Sequence, residues 1–200
     1  MPKKQKYLTE LHMTQNNYIR LAADLQTDSI VDGPGLRTVL WTQGCSHRCK
    51  GCQNPQTWSH KGGALVPLSE VYKAIDELEY QTGFTFSGGD PMYQIEACNK
   101  IADYVRSKGM NIWCYTGFTY EEILLLAKKN PTYIEFLGKI DVLVDGRFIL
   151  AERDLSLLFR GSRNQRLIDM PKTLQSGEIT LLNEYEYNEE AMFEREPMYI

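Results

Sequence analysis

No stretch of this chain is apolar over the roughly 20 residues that cross a bilayer. The charged first residues are not followed by an apolar run either. Neither a membrane span nor a secretory leader is expected, and the protein is expected in the cytoplasm. A basic surplus is also missing: 22 Lys+Arg stand against 26 Asp+Glu, a net charge of -4. That balance disfavours a generic nucleic-acid binder. There is no internal repeat. With 42% AVILMFWYC and 24% charged residues in 200, the chain is neither mostly disordered nor collagen-like, and its length suits one domain. Cysteine is scarce and odd in number. Five cysteines in a reducing compartment argue against a disulfide framework. Three of them, Cys45, Cys49 and Cys52, crowd into a single short segment and ask for a metal or redox role.

What is present alternates. Residues 1–15 are polar and without period, and read as a flexible extension. Tyr18 to Leu25 suits an edge strand, and Asp32-Gly33-Pro34-Gly35 is a turn signal. Leu36 to Thr42 is rich in branched and aromatic residues, as a strand requires. Gly62-Gly63 and Pro67 mark a loop, and Ser69 caps a helix from about Glu70 to Tyr80. Phe84 to Phe86 reads as a short buried strand. Ile95, Cys98, Ile101, Ala102 and Val105 repeat at helical spacing. Asn111 to Tyr115 and Ile140 to Val144 are further strands, with a capping box at Thr119 and Glu122 between them. Solidly apolar strands alternating with helices predict an α/β fold, a parallel sheet covered by helices. The units are too few for a closed eight-fold barrel, so an open, partial β/α barrel is expected. Polar, glycine-bearing segments follow the strands, which predicts a site on one edge of the sheet. Arg160 to Met170 and Glu178 to Asn183 read as strand or hairpin pieces, and residues 171–200 as a peripheral segment after a domain spanning 16–170.

The crowded cysteines are spaced C-x3-C-x2-C. Such spacing lets three thiolates converge while leaving a fourth position without a local ligand. Iron–sulfur clusters are held by thiolates in this way, and an open position admits a small molecule. The plainer reading is structural zinc with His47 or His60 as fourth ligand, although no second C-x2-C pair exists. Cys98 at a core helical spacing and Cys114 inside a strand read as packing residues.

The spacing resembles the signature of the radical S-adenosylmethionine enzymes. The flanking residues Asp32-Gly33-Pro34-Gly35-Leu36-Arg37, Gln43-Gly44-Cys45 and Asn54-Pro55-Gln56-Thr57-Trp58 resemble those of the activating enzymes of glycyl radical proteins. Leu143 to Phe148 and Arg160 to Arg166 are similar to the subfamily that activates anaerobic ribonucleoside-triphosphate reductase. The resemblance runs from about Tyr18 to Asp169. Where many radical S-adenosylmethionine enzymes carry an aromatic residue before the third cysteine, this chain has Gly51, as the reductase activators do.

The resemblance implies a [4Fe-4S] cluster on Cys45, Cys49 and Cys52, with S-adenosylmethionine completing the fourth iron. One electron from a flavodoxin-like donor would cleave the S–C5′ bond, and the 5′-deoxyadenosyl radical would take hydrogen from a glycine of the reductase. No nucleic acid and no membrane is implied as partner. Adenine would meet the backbone from Gly51 through Cys52 to Gln53. Gly88 and Gly89 would let the cofactor approach the strand end, and Asp90 would accept from its ammonium group. The same residues also read as an ordinary turn. Tyr115-Thr116-Gly117 and Asp145 end later strands and could face the ribose or the incoming glycine. Asp32 and Arg37 suit a local ion pair. The late arginines, Arg163 among them, suit either a solvated face or carboxylate recognition. Two other functions stay open on sequence: a radical enzyme acting on a small molecule in the manner of a deazapurine synthase, and a non-catalytic zinc or cluster-bearing module.

Overall fold

The computed structural model describes residues 17–185. The expected extension over 1–15 lies outside them. Eight strands form one open sheet: β1 Tyr18–Leu21, β2 Gln26–Ser29, β3 Arg37–Thr42, β4 Ala64–Pro67, β5 Gly83–Gly88, β6 Asn111–Tyr115, β7 Val142–Asp145 and β8 Arg166–Asp169. The spatial order is β4-β1-β3-β5-β6-β7-β8, with β2 paired to β3. The centre, β3-β5-β6-β7, is parallel, while β1, β2, β4 and β8 add antiparallel pairs at the margins. The α/β class and the open sheet agree with the sequence reading. β1 and β8 fall in the segments read as an edge strand and as strand or hairpin pieces, whereas β2 and β4 went unforeseen, because these short strands are polar or half-exposed and lack a buried run.

Among the described residues five α-helices accompany the sheet: α1 Leu68–Asp76, α2 Ile95–Ser107, α3 Tyr120–Ala127, α4 Thr132–Leu137 and α5 Met170–Ser176. The capping box of α3 is present as expected, Thr119 accepting from Glu122 N and Glu122 accepting from Thr119 N. Strand periodicity then divides the core. Ile112 and Cys114 of β6, Leu143 of β7 and Ile168 of β8 join the main cluster, with Ile101 and Val105 of α2, Ile75 of α1 and Phe136 of α4. Trp113, Val142, Val144 and Leu167 face the opposite side. There, among the described residues, Phe159, Leu182 and Tyr185 of the 3-10 turn Asn183–Tyr185 pack on it, and the Trp113 and Tyr185 rings meet edge to face at 5.9 Å. Residues 171–185, expected to be peripheral, therefore supply α5 and part of the second core.

Candidate cluster and cofactor site

The C-terminal ends of the parallel strands converge, and each hands on to a segment with a tight turn. The cysteine loop follows β3. Its first residues are tied to the turn beyond it by Gly44 N to Thr57 O and Cys45 N to Trp58 O. Gln43 donates to the carbonyls of Gln56 and Ser59, so the loop is laced at its base before the first thiol. Arg48 and Gly51 take positive φ, 49° and 80°, which turns the chain between successive cysteines. The three thiols line one cavity of about 510 Å³, together with Gln53, Trp58, Gly88, Gly89, Tyr115 and Thr116.

The donor set suits an iron–sulfur cluster. All three thiols are free. Burial pushes the Cys45 thiol up, while backbone N–H groups of His47 and Arg48 act in the other direction. Burial likewise raises Cys49, offset by the N–H of Phe148 and the charge of Arg147. Asn54 N donates to Cys52 Sγ at 3.4 Å. Backbone donors aimed at sulfur are the groups that stabilise ligating thiolates and set a cluster's potential. The two histidines considered as fourth zinc ligands are engaged elsewhere: His60 Nε2 lies 2.9 Å from Ser46 Oγ, and His47 Nε2 lies 2.9 Å from Asp90 Oδ2. Cys98 and Cys114 are wholly buried in the main core, as packing residues are.

Four of the expected cofactor contacts, Cys52, Gln53, Gly88 and Gly89, line the cavity; Gly51 and Asp90 do not. The reason differs for each. At Gly51 a Cβ would strike the Leu150 side chain at 2.9 Å and the Phe148 ring at 3.3 Å, so the glycine seats the loop against the segment after β7. Asp90 is fully buried. Its carboxylate accepts from His47 Nε2, Thr116 Oγ1, Gly117 N and Met92 N, at 2.9–3.0 Å. A carboxylate offers about four lone-pair positions, and these donors fill them. Asp90 thus joins the cysteine loop to the ends of β5 and β6. The His47 ring completes the contact, lying edge-on to Phe118 at 4.5 Å and directly over Gly117.

The glycine pair has a related use. A Cβ on Gly89 would meet Gly44 O at 2.6 Å, and one on Gly88 would meet Thr42 N at 2.5 Å. The backbone that approaches this strand end is the chain's own, with Gly89 N on Thr42 O and Asp90 N on Gly44 O. Arg37 and Asp32 make no ion pair. Arg37 is wholly buried at the opposite end of the sheet, held by Thr85 Oγ1, Asn111 Oδ1 and the Phe84 carbonyl, and desolvation lowers it to about 10. Asp145, buried at the end of β7, accepts from Tyr120 N and Arg166 Nε. Arg163 is exposed but bound to Asp154 at 2.8 Å.

Two polar atoms on the cavity wall have no partner among the described residues: Trp58 Nε1 and the Tyr115 hydroxyl. Burial pushes the Tyr115 phenol far up, so it stays a neutral donor. Buried donors are normally bonded, and two on one cavity wall fit a ligand carrying oxygen acceptors. Sequence reasoning named Tyr115 for its strand-end position. It quoted Trp58 only as part of a motif, because nothing local says where an indole nitrogen ends up.

A strand-edge cavity lined by three thiols is the arrangement a cluster-binding protein needs. In agreement, the model of the family described as "4Fe-4S single cluster domain" matches residues 31–168. The chain is 37% identical over 145 residues to the anaerobic ribonucleoside-triphosphate reductase-activating protein of Enterobacteria phage T4, covering 68% of this chain and 86% of that one. To the proteins of the same name from Vibrio cholerae serotype O1 and Escherichia coli K12 it is 38% and 34% identical, over 68% of this chain and 89% and 90% of theirs. The chain belongs to the family of anaerobic ribonucleoside-triphosphate reductase-activating proteins. Among solved structures, QueE from Escherichia coli aligns at a TM-score of 0.43 and 14% identity, over 55% of this chain and 56% of that one.

Proposed function

We propose that this chain activates an anaerobic ribonucleoside-triphosphate reductase by generating a glycyl radical on it. The observation that carries the reading is the convergence of Cys45, Cys49 and Cys52 on one strand-edge cavity, in a chain of the activator family. When bound, a [4Fe-4S] cluster and S-adenosylmethionine supply one-electron cleavage of the S–C5′ bond, giving methionine and a radical that takes hydrogen from the partner's glycine.

The chain's own residues bind and orient. Three thiolates hold the cluster, and the backbone N–H groups around them stabilise their charge. Gln53, Gly88 and Gly89 line the cavity where S-adenosylmethionine would lie, and its carboxylate and ribose oxygens match the free donors of Trp58 and Tyr115. A flavodoxin-like protein would supply the electron, in the cytoplasm. No helix of the described residues is long and apolar enough to cross a membrane.

The test is direct. Chain reconstituted anaerobically with iron and sulfide, then mixed with S-adenosylmethionine, a reductant and the reductase, should give a glycyl radical signal in electron paramagnetic resonance and 5′-deoxyadenosine by chromatography. Replacing any of Cys45, Cys49 or Cys52 by alanine should abolish both. A colourless protein that binds zinc, or full activity in Cys49→Ala, would defeat the assignment.

A further inference from the structure

A second cleft, of about 480 Å³, lies against the cysteine loop and is lined by Lys50, Phe148, Ile149, Leu150 and Ala151. Phe148 also lines the cavity of the three thiols, so one ring belongs to the wall of both; the other four residues do not line that cavity. The loop itself joins the two further. The Phe148 N–H acts on the Cys49 thiol, and the Leu150 side chain comes within 2.9 Å of where a Gly51 Cβ would stand. The function proposed above makes no use of this cleft.

The cleft is apolar and fixed in place. Ile149 and Leu150 remain 40% and 42% exposed. The 3-10 turn Leu150–Glu152 is closed by Glu152 N on Ile149 O and Arg153 N on Leu150 O, and Ile149 N donates to Ser162 Oγ. Its surroundings are cationic. Residues 46–51 and 147–151 contain Arg48, Lys50 and Arg147 and no Asp or Glu, in a chain of net charge -4. All three cations are exposed, and the next carboxylate along the chain is Glu152.

We propose that this cleft is where an acidic, flavin-bearing one-electron carrier protein docks to reduce the cluster; the inference rests on the function proposed above, in which each cofactor cleavage consumes one electron. A single lysine among apolar side chains lacks the convergent polar groups of a small-molecule site. A hydrogen-bonded turn that holds two aliphatic side chains in water is a surface for a protein. Local positive charge on an anionic chain attracts an acidic partner and orients its approach. The apolar floor suits the flat hydrocarbon edge of a flavin, whereas an iron–sulfur carrier keeps its cluster under backbone and has no ring to insert. From the cleft the electron has a short route, past Phe148 to the Cys49 sulfur. One electron moves and no bond changes: the flavin passes from hydroquinone anion to neutral semiquinone, and the cluster takes up the electron.

The experiment uses Lys50→Glu and Ile149→Asp. Binding of a recombinant flavodoxin to each protein, cluster-loaded and apo, is measured anaerobically by interferometry at low and high salt. Cluster reduction by flavodoxin hydroquinone is followed by stopped-flow absorbance, beside reduction by dithionite and binding of the reductase. Each variant should bind flavodoxin about tenfold more weakly in both forms and be reduced by it more slowly. Wild-type binding should weaken with salt, and the Lys50→Glu protein should respond to salt less. Reduction by dithionite and affinity for the reductase should match wild type. The apo-protein arm reads the surface even where a variant loads iron poorly. Wild-type flavodoxin affinity in both variants would overturn the proposal, as would a loss that falls on the reductase alone. A ferredoxin that binds as tightly, and loses as much in Ile149→Asp, would overturn the choice of a flavin carrier. If the wild-type chain reduced by dithionite raises no glycyl radical on the reductase, the functional reading fails instead, and that result involves neither flavodoxin nor the variants.

Discussion

Asp90 shows how a residue's chemistry is decided by its neighbours. An acidic residue after Gly-Gly at a strand end invites a role as acceptor for a cofactor amine. In the fold its acceptor positions are taken by His47, Thr116, Gly117 and Met92, so its work is to hold the cysteine loop on the sheet. Asp90→Asn keeps the size but turns an acceptor into a donor facing donors. The apo-protein is expected to lose about 1–3 kcal/mol, read from urea midpoints. His47→Asn should cost a similar amount, and the double variant less than the sum, because the two share one bond. If Asp90→Asn left apo stability untouched and weakened only S-adenosylmethionine binding, the carboxylate would be a cofactor contact after all. Tyr115 is the reverse case, a buried donor with no partner among the described residues. Tyr115→Phe should leave apo stability and iron content near wild type while lowering S-adenosylmethionine affinity roughly three- to tenfold, the worth of one hydrogen bond. Isothermal titration with the cluster-loaded protein checks this, and unchanged affinity would remove Tyr115 from the site.

At the scale of elements, the site is a set of strand ends packed backbone to backbone. β5 can lie against the start of the cysteine loop only because Gly88 and Gly89 have no side chain. Gly89 is the cleaner test, since its φ is not in the left-handed region and only space forbids a Cβ. Gly89→Ala must push Gly44 away, and backbone yields less readily than a flexible side chain. A loss of about 1–3 kcal/mol is expected, the range of overpacking in a tight core. Since Gly44 precedes Cys45, thiol labelling of the apo-protein should also become faster. A labelling rate and melting temperature equal to wild type would show that the loop shifts freely and that the close approach is incidental.

For the whole molecule, the second face of the sheet is closed by the end of the described chain. Trp113, Val142, Val144 and Leu167 are covered, among the described residues, by Phe159, Leu182 and Tyr185 and by no α-helix. Ending the chain after Gly177 would remove Leu182 and Tyr185 and expose the Trp113 indole. Burial of two such side chains, here partial, contributes about 2–4 kcal/mol. The shortened protein should unfold at lower denaturant, and its tryptophan emission should move to the red. An unchanged midpoint would mean that this segment rests on the sheet without supporting it.

The sequence by itself determined the main strands and helices of the central sheet, because each carries its own periodicity and punctuation: Asn111 to Tyr115 is the same strand in both readings, and Thr119 and Glu122 cap α3 as their spacing requires. It also picked out as a set the three cysteines that line one cavity, since their spacing is local. It did not reveal β4 or α4, which are short and weakly patterned, nor that residues 178–185 close the second core, because such cover depends on shape rather than period. Nor did it tell which polar residues face the cavity. Asp90 and Arg37 spend their hydrogen bonds inside the fold, while Trp58 and Tyr115 keep theirs free. That division is settled by donors and acceptors brought together from segments tens of residues apart, which only the tertiary structure places within bonding distance.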